Sequence, residues 1–200
     1  MKYFNFDASL TSNERAMRET LIQHILKHPT TPPAFKQSYT ALYDKHMITV
    51  QNQQITCLYP FATHVTEFKV QLLSQPDVYA MCAIDALGVH YLLHQPITIE
   101  SQCATTHAPI MIQLSNQQIQ HSEYTKDIHV LFKNIYPHTS CASTCCPNML
   151  FFINRQALDD YYRTHINLTL PIEAHAEYFA LSLDEANQVA QDIFEIQSNN

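Results

Sequence analysis

Glycine occurs once in the two hundred residues of this chain, at Gly88. That scarcity removes a whole group of functions, because loops that cradle phosphates or dinucleotides need several glycines at fixed spacing for the backbone to approach the ligand. Neither a P-loop nor a dinucleotide fingerprint can be written anywhere in it. Charge is scarce as well. Asp, Glu, Lys and Arg make up 14% of residues against 46% apolar ones, the balance of a packed globular chain and not of a disordered one. No apolar run is long enough to span a bilayer, and the opening MKYFNFDASLTSNER lacks the apolar stretch of a secretory signal. We therefore expect a soluble, cytoplasmic protein.

Positive charge thins out along the chain. Up to Gln75 seven Lys and Arg stand against five Asp and Glu, whereas from Pro76 onward the count is four against thirteen, for a net −7. An acidic second part does not seek phosphates, so neither nucleic acid nor a membrane is an expected partner. Six cysteines are present: Cys57, Cys82, Cys103, Cys141, Cys145 and Cys146. In a reducing compartment they are expected as buried thiols, metal ligands or nucleophiles, not as a disulfide framework.

The pattern divides near Gln75. Residues 12–27, SNERAMRETLIQHILK, place Ala16, Leu21, Ile25 and Leu26 at helical spacing, with Ser12 as N-cap and Arg15 and Glu19 as a surface pair. After HPTTPP a second helix is expected from about Ala34 to Lys45, and MITVQNQQITCLYPF reads as two short strands around a polar turn. Helix, helix and hairpin outline a winged-helix-like module over residues 1–75. A packing role suits it better than DNA reading, because its second helix brings only Lys36 and Lys45 as cations. Residues 76–200 form the second domain, and the whole reads as α+β, with a mixed or antiparallel sheet and flanking helices after the module.

Residues 79–90, YAMCAIDALGVH, pose the chemical question. Pro76 and Asp77 are expected to open a helix on which Val78, Cys82, Asp85 and Val89 share one stripe. Ala80, Met81, Ala83, Ile84, Ala86 and Leu87 make the rest apolar, so Asp85 should be buried, with its pKa raised towards neutrality. A carboxyl of that kind can hold and deliver a proton. A lone buried Cys is also a small hydrophobe and a lone buried Asp also a cap, so this helix alone leaves structural and catalytic readings level.

Further cysteines shift that balance. ITIESQCATTHAPIMIQL reads as two strands around a turn that carries Cys103, and CASTCCPNMLFFIN sets Cys141, Cys145 and Cys146 in front of a strand MLFFI. Thiols gathered around a buried acid suggest soft-metal chemistry. In order and spacing, YAMCAIDAL, SQCATTHAPI and CCPNMLFF resemble the organomercurial (alkylmercury) lyases. The resemblance covers roughly residues 64–165 and extends more loosely to both ends. That family begins with a winged-helix-like module and ends in a helix, here LSLDEANQVAQDIFEI with a capping box at Ser182 and Glu185.

The resemblance implies that Cys82 and Cys146 are the two mercury-binding thiols and Asp85 the proton-transferring acid. Cys146 takes the second thiol's place because it alone stands five residues before Phe151 of the Phe-Phe pair. Cys103 matches a structural cysteine. Two thiolates would make the carbon on mercury more basic, Asp85 would protonate it, and mercuric ion would remain between Cys82 and Cys146. A small organomercurial is the implied substrate and no organic cofactor is implied. External thiols would strip the product, and a thiol-bearing mercuric reductase is the suggested acceptor. Asn148 and Leu150 stand where the family often has His, and LGVH where it tends to have Phe-Pro, departures that bear on substrate range.

A reading from another class stays open. Cys103 with His107 and Cys141 with Cys145 could supply four ligands to zinc or copper, making a metal-responsive regulator on the same fold without mercury turnover.

Overall fold

A computed structural model of the chain describes residues 5–135, 140–167 and 169–195. The first helix, α1 (Ser12–Lys27), starts from Thr11 and not from Ser12. Thr11 accepts a hydrogen bond from the Glu14 amide and donates its own amide to the Glu14 carboxylate at 2.6 Å, a reciprocal cap that a Ser at the next position cannot form with Glu14. Leu21, Ile22, Ile25 and Leu26 form the buried face, while Arg15 pairs with Asp7 at 3.0 Å, not with Glu19 as expected. The second expected helix shrinks to α2 (Thr40–Asp44) behind a short 3-10 turn. Its intended start is taken by the neighbouring hairpin: Ala34 bridges to Gln54, and the Phe35 amide donates to the Gln53 carbonyl at 2.8 Å. Pro32 and Pro33 hold the backbone extended there, which favours the bridge.

Strands β1 (Ile48–Gln51) and β2 (Gln54–Leu58) pair around Asn52 and Gln53, both at positive φ (51° and 63°). This is the tight turn whose twist matches a hairpin, made here without glycine. β3 (Phe61–Ala62), β4 (Lys69–Leu72), β5 (Val78–Ala80), β6 (Ile97–Gln102), β7 (Pro109–Ser115) and β8 (Gln118–Ile119) complete an eight-stranded sheet in the order β1-β2-β3-β5-β4-β6-β7-β8. All its pairings are antiparallel. Through β3 the hairpin is hydrogen-bonded into the same sheet as the strands beyond Gln75, and one hydrophobic core runs from Phe6 to Phe194. Alternation along β7 buries Ile110, Ile112 and Leu114 and leaves Met111 exposed, so one face of the sheet is covered.

Residues 78–80 are strand and not the start of a helix. Val78 and Tyr79 pair with β4 and β3, so ladder hydrogen bonds override the helical spacing of Val78 and Cys82. The helix α3 (Ala83–Leu93) begins later, with Cys82 as its N-cap in extended backbone. A second sheet holds β9 (His129–Lys133), β10 (Leu150–Phe152) and β11 (Tyr178–Ser182) in the antiparallel order β10-β9-β11. Between β9 and β11 lie α4 (Cys141–Thr144) and α5 (Arg155–His165), and the last helix is α6 (Leu183–Phe194), opened by the expected Ser182–Glu185 capping box.

Every residue of α3 from Ala83 to Leu92 is buried. One side of α3 lies on the large sheet and the other against α6, which in turn meets β9 and β11. At the α3–α6 crossing stands the single glycine. A Cβ on Gly88 would lie 2.2 Å from the Phe194 ring, so only a residue without a side chain allows this approach. The fold is thus α+β with antiparallel sheets and helices, and it places the first turn of α3 at its centre.

Candidate active site

Because Cys82 caps α3, Cys82 and Asp85 occupy the N-cap and third positions of one helix start. Their two side chains close a small ring: the Asp85 amide donates to the Cys82 Sγ at 3.5 Å, and the Cys82 thiol donates to Asp85 Oδ2 at 3.0 Å. The first bond is an N-cap contact in which sulfur replaces the usual hydroxyl, and the second ties the thiol itself to the carboxyl. The positive end of the helix lies beside the carboxyl and favours charge there, but only within the first turn.

Cys146 reaches the same carboxyl from far along the chain. It opens a 3-10 turn, Cys146–Asn148, immediately before β10. The Ala83 amide donates to the Met149 carbonyl at 3.0 Å, tying the first residue of α3 to the end of that turn. As a result the Cys146 thiol donates to Asp85 Oδ2 at 3.4 Å, and the ligand atoms of Cys82, Asp85 and Cys146 all lie within 4.8 Å of one another. Met149 adds a thioether sulfur 3.8 Å from the Cys82 Sγ. Among the described residues this is the only group of three or more His, Cys, Asp or Glu side chains close enough to share one metal ion.

The centre is roofed from both ends of the chain. Phe6 stacks on Tyr59 with ring centres 5.2 Å apart and lies 5.5 Å from Phe194, while its amide donates to the Ile193 carbonyl at 3.2 Å. Phe6, Tyr59, Phe194, Ile135 and Met149 line, with Cys82, Asp85, Cys141 and Cys146, a cavity of about 10 Å³. That is at the lower limit for one water molecule. Asp85 is 4% exposed and Cys82 1%. The Tyr59 hydroxyl is buried with no hydrogen-bond partner among the described residues.

This dryness sets the proton affinities. Burial raises the Asp85 carboxyl from 3.8 to about 8, against the lowering effect of the Cys82 and Cys146 hydrogen bonds, so at neutral pH it is mostly protonated. Burial likewise pushes the Cys82 thiol up to about 12. Cys146 is held well above the ordinary thiol value, first by its contact with the Cys141 sulfur and then by its contact with Cys82 and by burial. The neighbouring sulfur behaves oppositely: contact with the Cys145 and Cys146 sulfurs moves the Cys141 thiol below its ordinary value. Two thiols and a carboxylic acid thus share a dry site, each protonated at neutral pH.

The three residues singled out by sequence come together. Cys103 does not join them; it follows β6, donates its amide to the Ala108 carbonyl at 2.9 Å, and the next amide, Ala104, donates to the Phe151 carbonyl at 3.0 Å. It sits in a turn that is hydrogen-bonded to β10. His107 lies in that turn, and Cys103, His107, Cys141 and Cys145 do not assemble as a four-ligand site. Sequence reasoning missed Met149, Cys141 as a neighbour of the centre, and the roof of Phe6, Tyr59 and Phe194. Nothing in their local pattern marks them, because each reaches the site through contacts between distant segments.

Paired thiols on a buried carboxylic acid, in an α+β fold of antiparallel sheets, define a soft-metal centre with its own proton source. Comparison with known proteins makes the class specific. The family model of MerB, the alkylmercury lyase, matches residues 61–195, and the chain belongs to this family of carbon–mercury bond-cleaving enzymes. Ten chains among solved structures also match. One is a crystal structure of the mercury-bound form of MerB2, with 17% identity, coverage of 92% of this chain and 91% of that one, and a TM-score of 0.68, a likeness of fold. No curated protein matches the chain.

Proposed function

We propose that Cys82, Cys146 and Asp85 carry the organomercurial lyase reaction in this chain, with mercury as substrate and product and no organic cofactor. The observation that supports this most is the geometry at one oxygen: both thiols donate to Asp85 Oδ2, at 3.0 and 3.4 Å. A group that touches both sulfurs can exchange protons with either.

The substrate is an organic group on mercury whose second ligand is a thiolate from solution. One site thiol displaces that ligand, and its proton leaves with it. The second thiol then adds to the metal. With two sulfurs bound, mercury pushes electron density onto the carbon, and the Asp85 carboxylic acid, already protonated at neutral pH, transfers its proton to that carbon. The carbon–mercury bond breaks, the hydrocarbon departs, and the proton of the second thiol restores Asp85. Mercuric ion remains on two thiolates. The closed, apolar roof keeps water from competing for the acid.

We read residues 1–75 as a winged-helix-like module that packs over this site, and residues 76–200 as the catalytic domain. Phe6 and Tyr59 from the first part, both lining the cavity, support a covering role over DNA reading. No helix of the described residues is long and apolar enough to cross a membrane. A cytoplasmic setting, where small thiols and a thiol-bearing mercuric reductase could take the metal, suits six unpaired cysteines.

The test is hydrocarbon release from phenylmercury in excess thiol, run beside intact-protein mass spectrometry. Cys82→Ser and Cys146→Ser should lose turnover, since a hydroxyl does not replace a thiolate on a soft metal. Asp85→Ala should still bind the arylmercury but release benzene far more slowly. Parental turnover in Asp85→Ala would refute the assignment.

A further inference from the structure

Resting on the lyase reading above, we propose that Met149 supplies a third sulfur to mercury at this centre, a neutral thioether contact that holds the metal on the Cys82 side before and after the carbon–mercury bond breaks. The Met149 Sδ lies 3.8 Å from the Cys82 Sγ, and Met149 lines the same cavity as Cys82, Asp85 and Cys146. Its backbone is tied to both thiol-bearing segments. The Met149 amide donates to the Cys146 carbonyl at 3.1 Å, and the Met149 carbonyl accepts from the amide of Ala83, next to Cys82, at 3.0 Å. At 1% exposed, the residue is shut in with the cleavage pair, away from water.

Where the metal sits follows from the proton it replaces. The Cys82 thiol faces two acceptors, Asp85 Oδ2 at 3.0 Å and Met149 Sδ at 3.8 Å, and has one proton for both. Mercury bonds to Cys82 through the lone pair that this proton leaves behind, so it meets the same two atoms. The carboxyl oxygen is hard and spends its own proton on the carbon, whereas the thioether is soft, polarizable and carries no proton. Of the two, the thioether is the one a soft metal takes as a ligand.

The step balances without any redox change. A lone pair on the Met149 sulfur forms a coordinate bond to mercury, no proton leaves, and the charge of the centre stays the same. Electron density from a third sulfur adds to what mercury pushes onto the carbon, and after cleavage the same bond restrains mercuric ion on Cys82 and Cys146. Two incoming thiols end it: their sulfurs take the metal, their protons pass to Cys82 and Cys146, and the thioether returns to its contact with the Cys82 thiol. Leu has a similar volume and would fill the same space without offering a donor, which separates this role from packing.

The probe is mercuric chloride alone, loaded at one equivalent on the full chain, so no carbon–mercury cleavage is involved. X-ray absorption at mercury should find two short sulfur neighbours and a third, longer one in the parent, and only the two short ones in Met149→Leu. In competition with an external dithiol, Met149→Leu should give up mercuric ion at about tenfold lower dithiol, the size usual when a supporting group is removed from a metal site. Identical absorption spectra in the two proteins, or equal retention of the metal, would overturn the third contact. The lyase assignment, tested by hydrocarbon release, would be untouched. A second measurement needs no variant and so does not depend on how Met149→Leu folds. Grown on selenomethionine enriched in the NMR-active selenium isotope, the parent carries six selenium atoms. Loading it with an NMR-active mercury isotope should split one selenium resonance by scalar coupling to the metal, and six unsplit resonances would also overturn the proposal.

Discussion

Replacing Asp85 with Asn probes the proton store of the site while leaving both thiols in place. Burial raises this carboxyl from 3.8 to about 8. In the unfolded chain it ionises near 4, whereas the folded protein keeps its proton until about pH 8. Between those values the folded state holds one proton more than the unfolded state, so stability falls as pH rises, by about 1.4 kcal/mol per pH unit. From about pH 4 to about pH 7 the loss is on the order of 4 kcal/mol, an upper figure because the site relaxes around a charge, and it levels off above about pH 8. Asn has no proton to lose and escapes this loss. The stability of Asp85→Asn relative to the parent should therefore rise steadily from about pH 4, then stop changing once about pH 8 is passed. Urea unfolding of both proteins across this range under reductant, read by circular dichroism, measures the difference. Groups elsewhere, such as Glu14 beside Lys45, titrate alike in both and cancel. A difference that stays constant across the range would mean that Asp85 ionises as an exposed carboxylate does, and the cleavage step would lose its acid.

The same carboxyl should govern the rate: hydrocarbon release from phenylmercury should fall as pH rises through about 8, and a profile flat to well beyond that point would assign the proton to another group. Gly88→Ala should destabilise by about 1–3 kcal/mol through overpacking on Phe194, with part recovered by adding Phe194→Leu, both read by chemical denaturation. At the hairpin turn, Gln53→Gly should stabilise by about 0.5–1 kcal/mol, because φ of 63° costs glycine nothing; a lower melting temperature would contradict this.

The chemistry was more legible in the sequence than the path of the backbone. A thiol and an acid in an apolar run carry their own signal, since burying Asp85 needs a reason, and the order of the cysteines supplied it. The start of α3 was misplaced because Val78, Cys82, Asp85 and Val89 have helical spacing, yet Val78 and Tyr79 find strand partners on both sides. Spacing reports what a segment could do alone, and sheet pairing is decided by segments elsewhere. The second helix shortened for the same reason, since Ala34 and Phe35 serve the edge of the β1–β2 hairpin. Phe6, Tyr59 and Met149 were illegible as site residues because their positions depend on tertiary contacts alone. Cys141 was visible as a cysteine, but its contact with Cys146 follows from a turn whose course only the folded chain reveals.

The closed roof has a cost in motion. Cys82 and Cys146 are 1% and 3% exposed, so an arylmercury group reaches their sulfurs only when the lining that includes Phe6, Phe194 and Tyr59 gives way. The seam that opens is held by a few bonds between the two ends of the chain: the Phe6 amide to the Ile193 carbonyl, and the Asn5 side chain to the Asp192 and Glu195 carbonyls at 3.1 and 3.0 Å. Heat resistance and throughput are consequently set against each other at that seam. A covalent staple or a viscous medium that quiets the chain ends would lift the melting point and slow the enzyme together, while leaving the acid and the thiols unaltered.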